Sequence, residues 1–291
     1  VDPENRYVLA GYDRDGDENY QIYAIPFEGG LPQELITGKE EEKYYFAHLS
    51  EDGERVYYVT SEDNPSFLNA RVRNLTTGED KLINEGENSP TFLSAVSPEE
   101  QSFVYTRMFA NTYSVANVYY NGEQVSLTPD PKKVHVTFSP VFTDEKTVYF
   151  ITDYEAEFVY LAKFDLENKQ FEKVLEIEEQ SITNLKWNKH TELFYIVTEK
   201  GVKDYLYTFN PKTEELTEID KPVDIIHQID IAKSGTIYLL GVSATLPSNI
   251  FQLKEGNDWI QLTNNNVLGV SREQMVEPDV ITYESFDGME I

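Results

Sequence analysis

The chain has 291 residues, enough for a large buried core and for one or two domains. Its 24 Lys and Arg stand against 52 Asp and Glu, and the formal net charge of −28 repels nucleic acid and anionic membranes. The absence of cysteine excludes disulfides, thiol catalysis and cysteine zinc sites, and no apolar run approaches the roughly 20 residues of a membrane span.

From the N-terminus, "VDPEN" reads as a turn, followed by strands at "RYVLAGY", "QIYAIPF" and "QELIT". The same order then repeats, each time preceded by one further strand. Those leading strands are "YYFAHLS", "PTFLSAVS", "VHVTFSP", "SITNLKW" and "IIHQIDI". Their equivalent apolar residues Leu49, Val96, Phe138, Trp187 and Ile231 are spaced by 47, 42, 49 and 44 residues. A period in the forties fits a β-propeller blade. The second strands continue as "RVYYVTS", "SFVYTRM", "TVYFITD", "LFYIVTE" and "TIYLLGV"; the third as "NARVRNL", "ANVYYNG", "VYLAKFD", "YLYTFNP" and "NIFQLKE". The fourth are "DKLIN", "QVSLT", "EKVLE", "EELTE" and "WIQLT", reached through turns such as "TTG", "NG", "PKT" and "EGN".

The sequence therefore predicts an all-β chain, a β-propeller of four-stranded antiparallel blades with six repeats visible. The first repeat lacks its inner strand. Residues 1–266 are assigned to the propeller and 267–291 to an exit segment, in which "VSREQMVE" offers at most one or two helical turns. The final "VITYESFDGMEI" reads as a strand, a tight Asp-Gly turn and the first three residues of a second strand. The chain thus reads as opening inside a blade and closing inside a hairpin. The stripe of 20 Tyr and 16 Phe follows the strand alternation and is read as packing between blades rather than as a ligand platform.

Motifs for catalysis are missing. "GVSAT" and "GVSRE" lack the last glycine of a nucleophile elbow, and there is no H-E-x-x-H, P-loop or G-x-G-x-x-G. Among the four histidines, His48, His135 and His227 fall on predicted inner strands, and His190 does not. Counted back from the equivalent apolar residues they stand at different offsets, which sets His227 on the opposite face and argues against a shared metal. No metal and no cofactor are expected. In "DRDGDE", Asp13, Asp15 and Asp17 alternate like a calcium loop, but Gly16 precedes the third acid and no helices flank it, so a solvated hairpin turn is the reading.

Blade topology gives these acids another context. Loops between second and third strands lie at the same end of a blade as the loops between blades. That end collects Asp13, Asp15, Asp17 and Glu18 with Glu40, Glu41 and Glu42, besides "TSEDNPS" and "TDYEAE". The exit segment is expected to leave from it too. Such an acidic rim attracts a cationic group, for instance a peptide's free amine; ordinary solubilising charge is the competing explanation.

Turns such as "VDPEN", "LSEDG" and "VSPEE" resemble those in the propeller of the prolyl oligopeptidase family of serine peptidases. The ending is more specific. Tyr283, Ser285, Asp287, Gly288 and Ile291, with Phe286 between them, resemble the junction at which bacterial acylaminoacyl-peptidase-like members leave the propeller for an α/β-hydrolase domain. The resemblance implies a Ser-Asp-His triad on that domain, downstream of this chain, and no catalytic residue within it. It implies seven blades in the parent, with a six-bladed ring closed by residues near "NNVLGVS" as the alternative, peptide substrates, and a propeller that covers the active site and selects what enters. The chain alone is expected to be inactive, and a cytoplasmic location is expected for the parent. The reading from another class is a free-standing propeller that serves as an interaction scaffold.

Overall fold

The computed structural model describes residues 2–254 and 258–289. The turn read at 255–257 and the junction residue Ile291 lie outside the described residues. Two compact units are present, residues 1–178 and 179–291.

The first unit opens with a three-stranded antiparallel sheet, β1 Tyr7–Tyr12, β2 Gln21–Pro26 and β3 Gln33–Ile36, in which β1 is an edge. Three four-stranded sheets follow. They are β4 Tyr44–Leu49, β5 Arg55–Thr60, β6 Asn69–Asn74 and β7 Asp80–Glu85; β8 Thr91–Val96, β9 Phe103–Ala110, β10 Tyr113–Tyr120 and β11 Glu123–Ser126; and β12 Thr137–Phe142, β13 Thr147–Thr152, β14 Tyr160–Asp165 and β15 Gln170–Leu175. The second unit holds two more, β16 Ser181–Asn188, β17 Leu193–Lys200, β18 Lys203–Asn210 and β19 Glu215–Ile219, then β20 Ile225–Ile231, β21 Ile237–Ser243, β22 Leu246–Leu253 and β23 Trp259–Gln261. Each strand pairs with its neighbour in sequence, the up-and-down order of propeller blades. The fold is a β-propeller fold, and among the described residues its first sheet has three strands and no inner one, as the repeat count predicts.

Neighbouring sheets bury the faces they turn to each other, which explains the aromatic stripe. Ile22 and Ile36 of the first sheet meet Tyr44, Val56 and Tyr58 of the second. On that sheet's other face Tyr57, Val59, Leu68 and Ala70 meet Leu93 and Tyr105 of the third. Val104, Ala116, Val118 and Leu127 then pack on Phe142, Val148, Phe150 and Tyr160 of the fourth. In the second unit Tyr195, Val197, Leu206 and Ile219 pack on Ile226, Ile229, Ile237 and Leu239. Each large apolar side chain buried this way contributes about 1.5–3 kcal/mol.

All five inner strands carry a register shift against their neighbours, between Phe46/His48, Leu93/Ala95, Phe138/Val141, Ile182/Asn184 and Ile226/Gln228. A bulge adds one residue and re-aims the side chains beyond it. This corrects the face argument for the histidines. His227 occupies the bulge itself, so counting by twos does not give its face. His135 is not on an inner strand, because β12 starts two residues later.

The exit segment also differs from expectation. "VITYESF" forms no continuous strand; only Glu284 makes a β-bridge, and the Ser285 N–H donates to the Met289 carbonyl at 2.7 Å. Its Asp-Gly turn is present: the Gly288 N–H donates to the Ser285 carbonyl at 2.9 Å, with Gly288 at φ 85°. "VSREQMVE" holds a single 3-10 turn, Arg272–Gln274. Among the described residues no helix is long and apolar enough to cross a membrane.

Candidate functional site

The hairpin loops between second and third strands meet the loops between blades at one end of the first unit. Backbone and side-chain hydrogen bonds fix this. The Tyr44 N–H donates to the Tyr20 carbonyl at 2.7 Å, and the Lys43 N–H to the Ser61 hydroxyl at 2.8 Å. Thr91 N–H donates to the Phe67 carbonyl at 3.0 Å, and Val136 N–H to the Asp153 carboxylate at 2.7 Å.

Buried polar residues on third strands fasten loops within each unit. Gln21 is buried; its Nε2 donates to the Glu42 carbonyl at 2.6 Å and its Oε1 accepts the Gly38 N–H at 2.9 Å. Ser114 Oγ accepts the Thr137 N–H at 3.0 Å, and Asn249 Oδ1 accepts the Asn265 N–H at 2.8 Å in the second unit. All three side chains are fully enclosed, so each amide or hydroxyl must find partners inside the protein. Sequence reading missed them.

The acids at this end are not equivalent. Asp15 and Gly16 take left-handed φ of 55° and 81°, which turns the 13–18 loop sharply. Asp17 accepts the N–H groups of Asn19 at 2.9 Å and Arg14 at 3.2 Å, and Asp13 accepts the Glu18 N–H at 3.1 Å. The Asn19 N–H on Asp17 holds its carboxyl below the usual range. Asp15, Asp17, Glu18, Glu40 and Glu41 are exposed and Asp13 is half-buried. Glu42 instead turns inward. Its Oε2 accepts the Lys39 N–H at 2.8 Å and the Tyr44 hydroxyl at 3.0 Å, and its Oε1 accepts the Lys39 ammonium at 3.0 Å. Burial pushes the Glu42 carboxyl up, but those donors outweigh it and hold it below the ordinary value. Gly38 is required here, since a Cβ would collide with the Tyr44 hydroxyl and the Glu42 carboxylate.

Exposed aromatic rings share this end of the first unit. Tyr20 lies 6.2 Å from Tyr45, whose ring meets Phe92 edge-on at 6.0 Å, and Phe109 stacks on Tyr113 at 4.8 Å. Phe67 and Phe109 remain 36% and 46% exposed.

The histidines serve separate local roles. His135 is enclosed, with Nδ1 donating to the Lys133 carbonyl at 2.8 Å and Nε2 3.0 Å from the Thr128 hydroxyl. Burial lowers the His48 pKa, partly offset by Glu100 and Glu51. His190 and His227 are exposed. Among the described residues no three His, Cys, Asp or Glu side chains converge as a metal site would require.

In the second unit, the exit segment is tied down by one strong contact. Thr245 Oγ1 donates to the Glu277 carboxylate at 2.6 Å, beside a groove of about 660 Å³ lined by Val202, Ile225, Val242, Pro278, Val280 and Ile281. Beyond it the junction residues are presented outward: Tyr283 is 60% exposed and Phe286 fully exposed. The Ser285 side chain and the Met289 N–H hold the Asp287 carboxyl below its ordinary range.

No protein-family model matches the sequence, and no curated protein matches it. The fold does match solved structures. A puromycin-hydrolysing peptidase of Mycobacterium tuberculosis matches with a TM-score of 0.74 at 13% identity, over 98% of this chain and 49% of that one. Prolyl oligopeptidase B from Galerina marginata matches with a TM-score of 0.74 at 15% identity, over 100% of this chain and 44% of that one. An oligogalacturonate lyase of Vibrio parahaemolyticus matches with a TM-score of 0.67 at 16% identity, over 94% of this chain and 79% of that one. At these identities the likeness is one of fold. The chain spans about half the length of the two peptidases, and over that length it has the β-propeller fold found in them.

Proposed function

We propose that this chain is the non-catalytic propeller of a serine peptidase of the prolyl oligopeptidase kind, and that it selects peptides for an α/β-hydrolase domain carrying the triad. The observation that carries this reading is the coverage: the whole chain corresponds to about half of peptidases that resemble it in fold. The outward-facing turn at Tyr283, Ser285, Phe286, Asp287 and Gly288 supports it, as the place where residues 267–291 lead away from a propeller spanning 1–266. The chemistry in the parent is acyl transfer: a serine oxygen attacks the peptide carbonyl, the amine leaves, and water hydrolyses the acyl-enzyme. The propeller contributes selection through its loop end. There Asp13, Asp15, Asp17, Glu18, Glu40 and Glu41 favour approach of cationic groups, while Glu42 holds the loop's shape.

The test uses two preparations. This chain alone leaves peptide and ester substrates intact. In a protein that also carries the hydrolase domain, D13N/D15N/E40Q/E41Q lowers kcat/KM for peptides with a free amine severalfold at low salt and little at high salt. Turnover by the isolated chain, or an unchanged salt profile, contradicts the proposal. A free-standing propeller is the second reading, favoured by the lyase, whose match extends over 79% of its chain.

A further inference from the structure

Acids outnumber bases 52 to 24 in this chain, so a half-buried arginine without a carboxylate runs against composition. Arg6 pairs with Asp2 at 2.7 Å, Arg55 with Glu100 at 2.6 Å and Arg71 with Asp80 at 2.7 Å. Arg73 follows Arg71 by two residues on β6, is half-buried, and pairs with no carboxylate among the described residues. An acid does stand across from it, since Asp80 of β7 is its register partner. That carboxylate is already committed. Its Oδ1 accepts Arg71 Nε at 2.7 Å and its Oδ2 accepts the Tyr58 hydroxyl at 2.5 Å.

Register puts these groups on one face. Arg71 is opposite Tyr58 and Arg73 opposite Val56, and directly opposed side chains share a face. Val56 and Tyr58 pack with Ile22 and Ile36 of the first sheet, so both arginines face that sheet. A groove of about 510 Å³ runs there, lined by Tyr44, Tyr58, Glu62, Arg71, Arg73 and Asp80. Lys39 and Glu42 also line it and neutralise each other at 3.0 Å. Glu62 is the other unmatched charge: it is half-buried, and its carboxylate meets no cation among the described residues. Burial raises the Tyr44 phenol pKa and the Glu62 charge adds to it, which sets that charge near Tyr44. The Glu62 carbonyl accepts Asn69 Nδ2 at 3.3 Å, at the start of β6. Arg73 lies four residues further along this strand, on the order of 13 Å at about 3.3 Å per residue. One groove thus holds a free negative charge towards one end and a free positive charge towards the other, and the two do not pair.

We propose that this groove binds a short peptide as its zwitterion, with the C-terminal carboxylate on Arg73 and the free amine on Glu62. A planar carboxylate matches the guanidinium fork, and an ammonium group is the matching donor for a carboxylate. An extended tripeptide spans about 10–11 Å, which leaves room for one hydrogen bond at each end. A free amino acid is too short to reach both charges. A simple anion such as phosphate satisfies Arg73 but leaves Glu62 unmatched and repelling it. The inference rests on the charges of the groove itself and not on the proposed role in peptide selection.

Calorimetric titration of the full 291-residue chain tests this. The probes are trialanine, its N-acetylated form, its C-terminal amide and inorganic phosphate. Trialanine should bind at least about tenfold more tightly than either blocked form. R73Q should erase its advantage over the amide, and E62Q its advantage over the acetylated form. R73K should keep part of the first advantage. Equal binding of the three peptides to the wild-type chain, or no heat with millimolar trialanine, overturns the proposal without any variant. Advantages that survive both R73Q and E62Q place the peptide elsewhere and overturn it too. Phosphate binding more tightly than trialanine overturns the zwitterion assignment. None of these results touches the hydrolase partnership, which depends on a different domain.

Discussion

The side-chain amide of Gln21 bridges to the backbone of Glu42, donating at 2.6 Å to a carbonyl 21 residues away. Its oxygen holds Gly38 at 2.9 Å, so one buried amide clamps both ends of the acidic 38–42 loop. Removing it strands a carbonyl and an N–H inside the protein. Gln21→Ala should cost about 2–3 kcal/mol, by the penalty for buried polar groups left unmade. Gly38→Ala should cost a similar amount by displacing Tyr44 and Glu42. Urea unfolding followed by tyrosine fluorescence measures both; a loss under about 0.5 kcal/mol for either would show that the loop is held elsewhere.

A second clamp joins neighbouring blades. Glu100 accepts Arg55 Nε at 2.6 Å and the Tyr57 hydroxyl at 2.6 Å, linking the β8–β9 turn to β5. Glu100→Gln keeps the shape but weakens two charge-assisted bonds, for an expected loss of about 1–2 kcal/mol. Tyr57→Phe alone should cost less, and the double variant should cost less than the sum, because both changes touch one carboxylate. Strict additivity in that cycle would mean the two bonds are independent.

Acid should loosen the first blade only between about pH 4 and pH 2. Asp2 accepts the Arg6 guanidinium at 2.7 and 2.9 Å and the N–H groups of Glu4 and Arg6 at 3.1 and 3.0 Å. The Arg6 side chain is the main cause that holds its pKa at about 2. A carboxyl whose folded pKa lies below its unfolded value stabilises fully above about pH 4. That contribution is lost as pH falls through about 2. Asp2→Asn should therefore lower the melting temperature near neutral pH and flatten its decline between about pH 4 and pH 2. An identical acid limb in the variant would refute the linkage.

The alkaline side is set by tyrosines. Burial raises the phenol pKa of Tyr44, Tyr57, Tyr58, Tyr105 and Tyr160, with Asp80 adding to the effect at Tyr58 and Glu100 at Tyr57. Raised folded values mean that stability is complete below about pH 10 and falls above it. Ultraviolet titration of phenolate should show exposed tyrosines ionising first and these five only as the chain unfolds. A single smooth titration of every tyrosine near pH 10 would contradict the burial pattern.

Much of this fold was legible because a blade repeats. Alternation of period two, Gly and Asn turns and a spacing in the forties located the 23 strands of the described residues and the three-stranded first sheet. The bulges were not legible. One inserted residue leaves no mark in composition, yet it removed the basis for assigning a face to His227. The strand read at "VITYESF" failed for a related reason: an extended segment becomes a strand only when a partner runs beside it along its length. Within the site, the acids of the 13–18 loop were visible as a charge run. The inward turn of Glu42 and the unpaired Arg73 and Glu62 were not, since hydrogen-bond satisfaction depends on neighbours distant in sequence.

The central claim is that this propeller works with a serine hydrolase domain. The most direct measurement is the coding sequence beyond Ile291. The account predicts an open frame completing the strand after the Asp287–Gly288 turn, then a G-x-S-x-G elbow on the order of two hundred residues on, with Asp and His following in that order. A stop codon close after Ile291, or a following domain without that elbow, would contradict it.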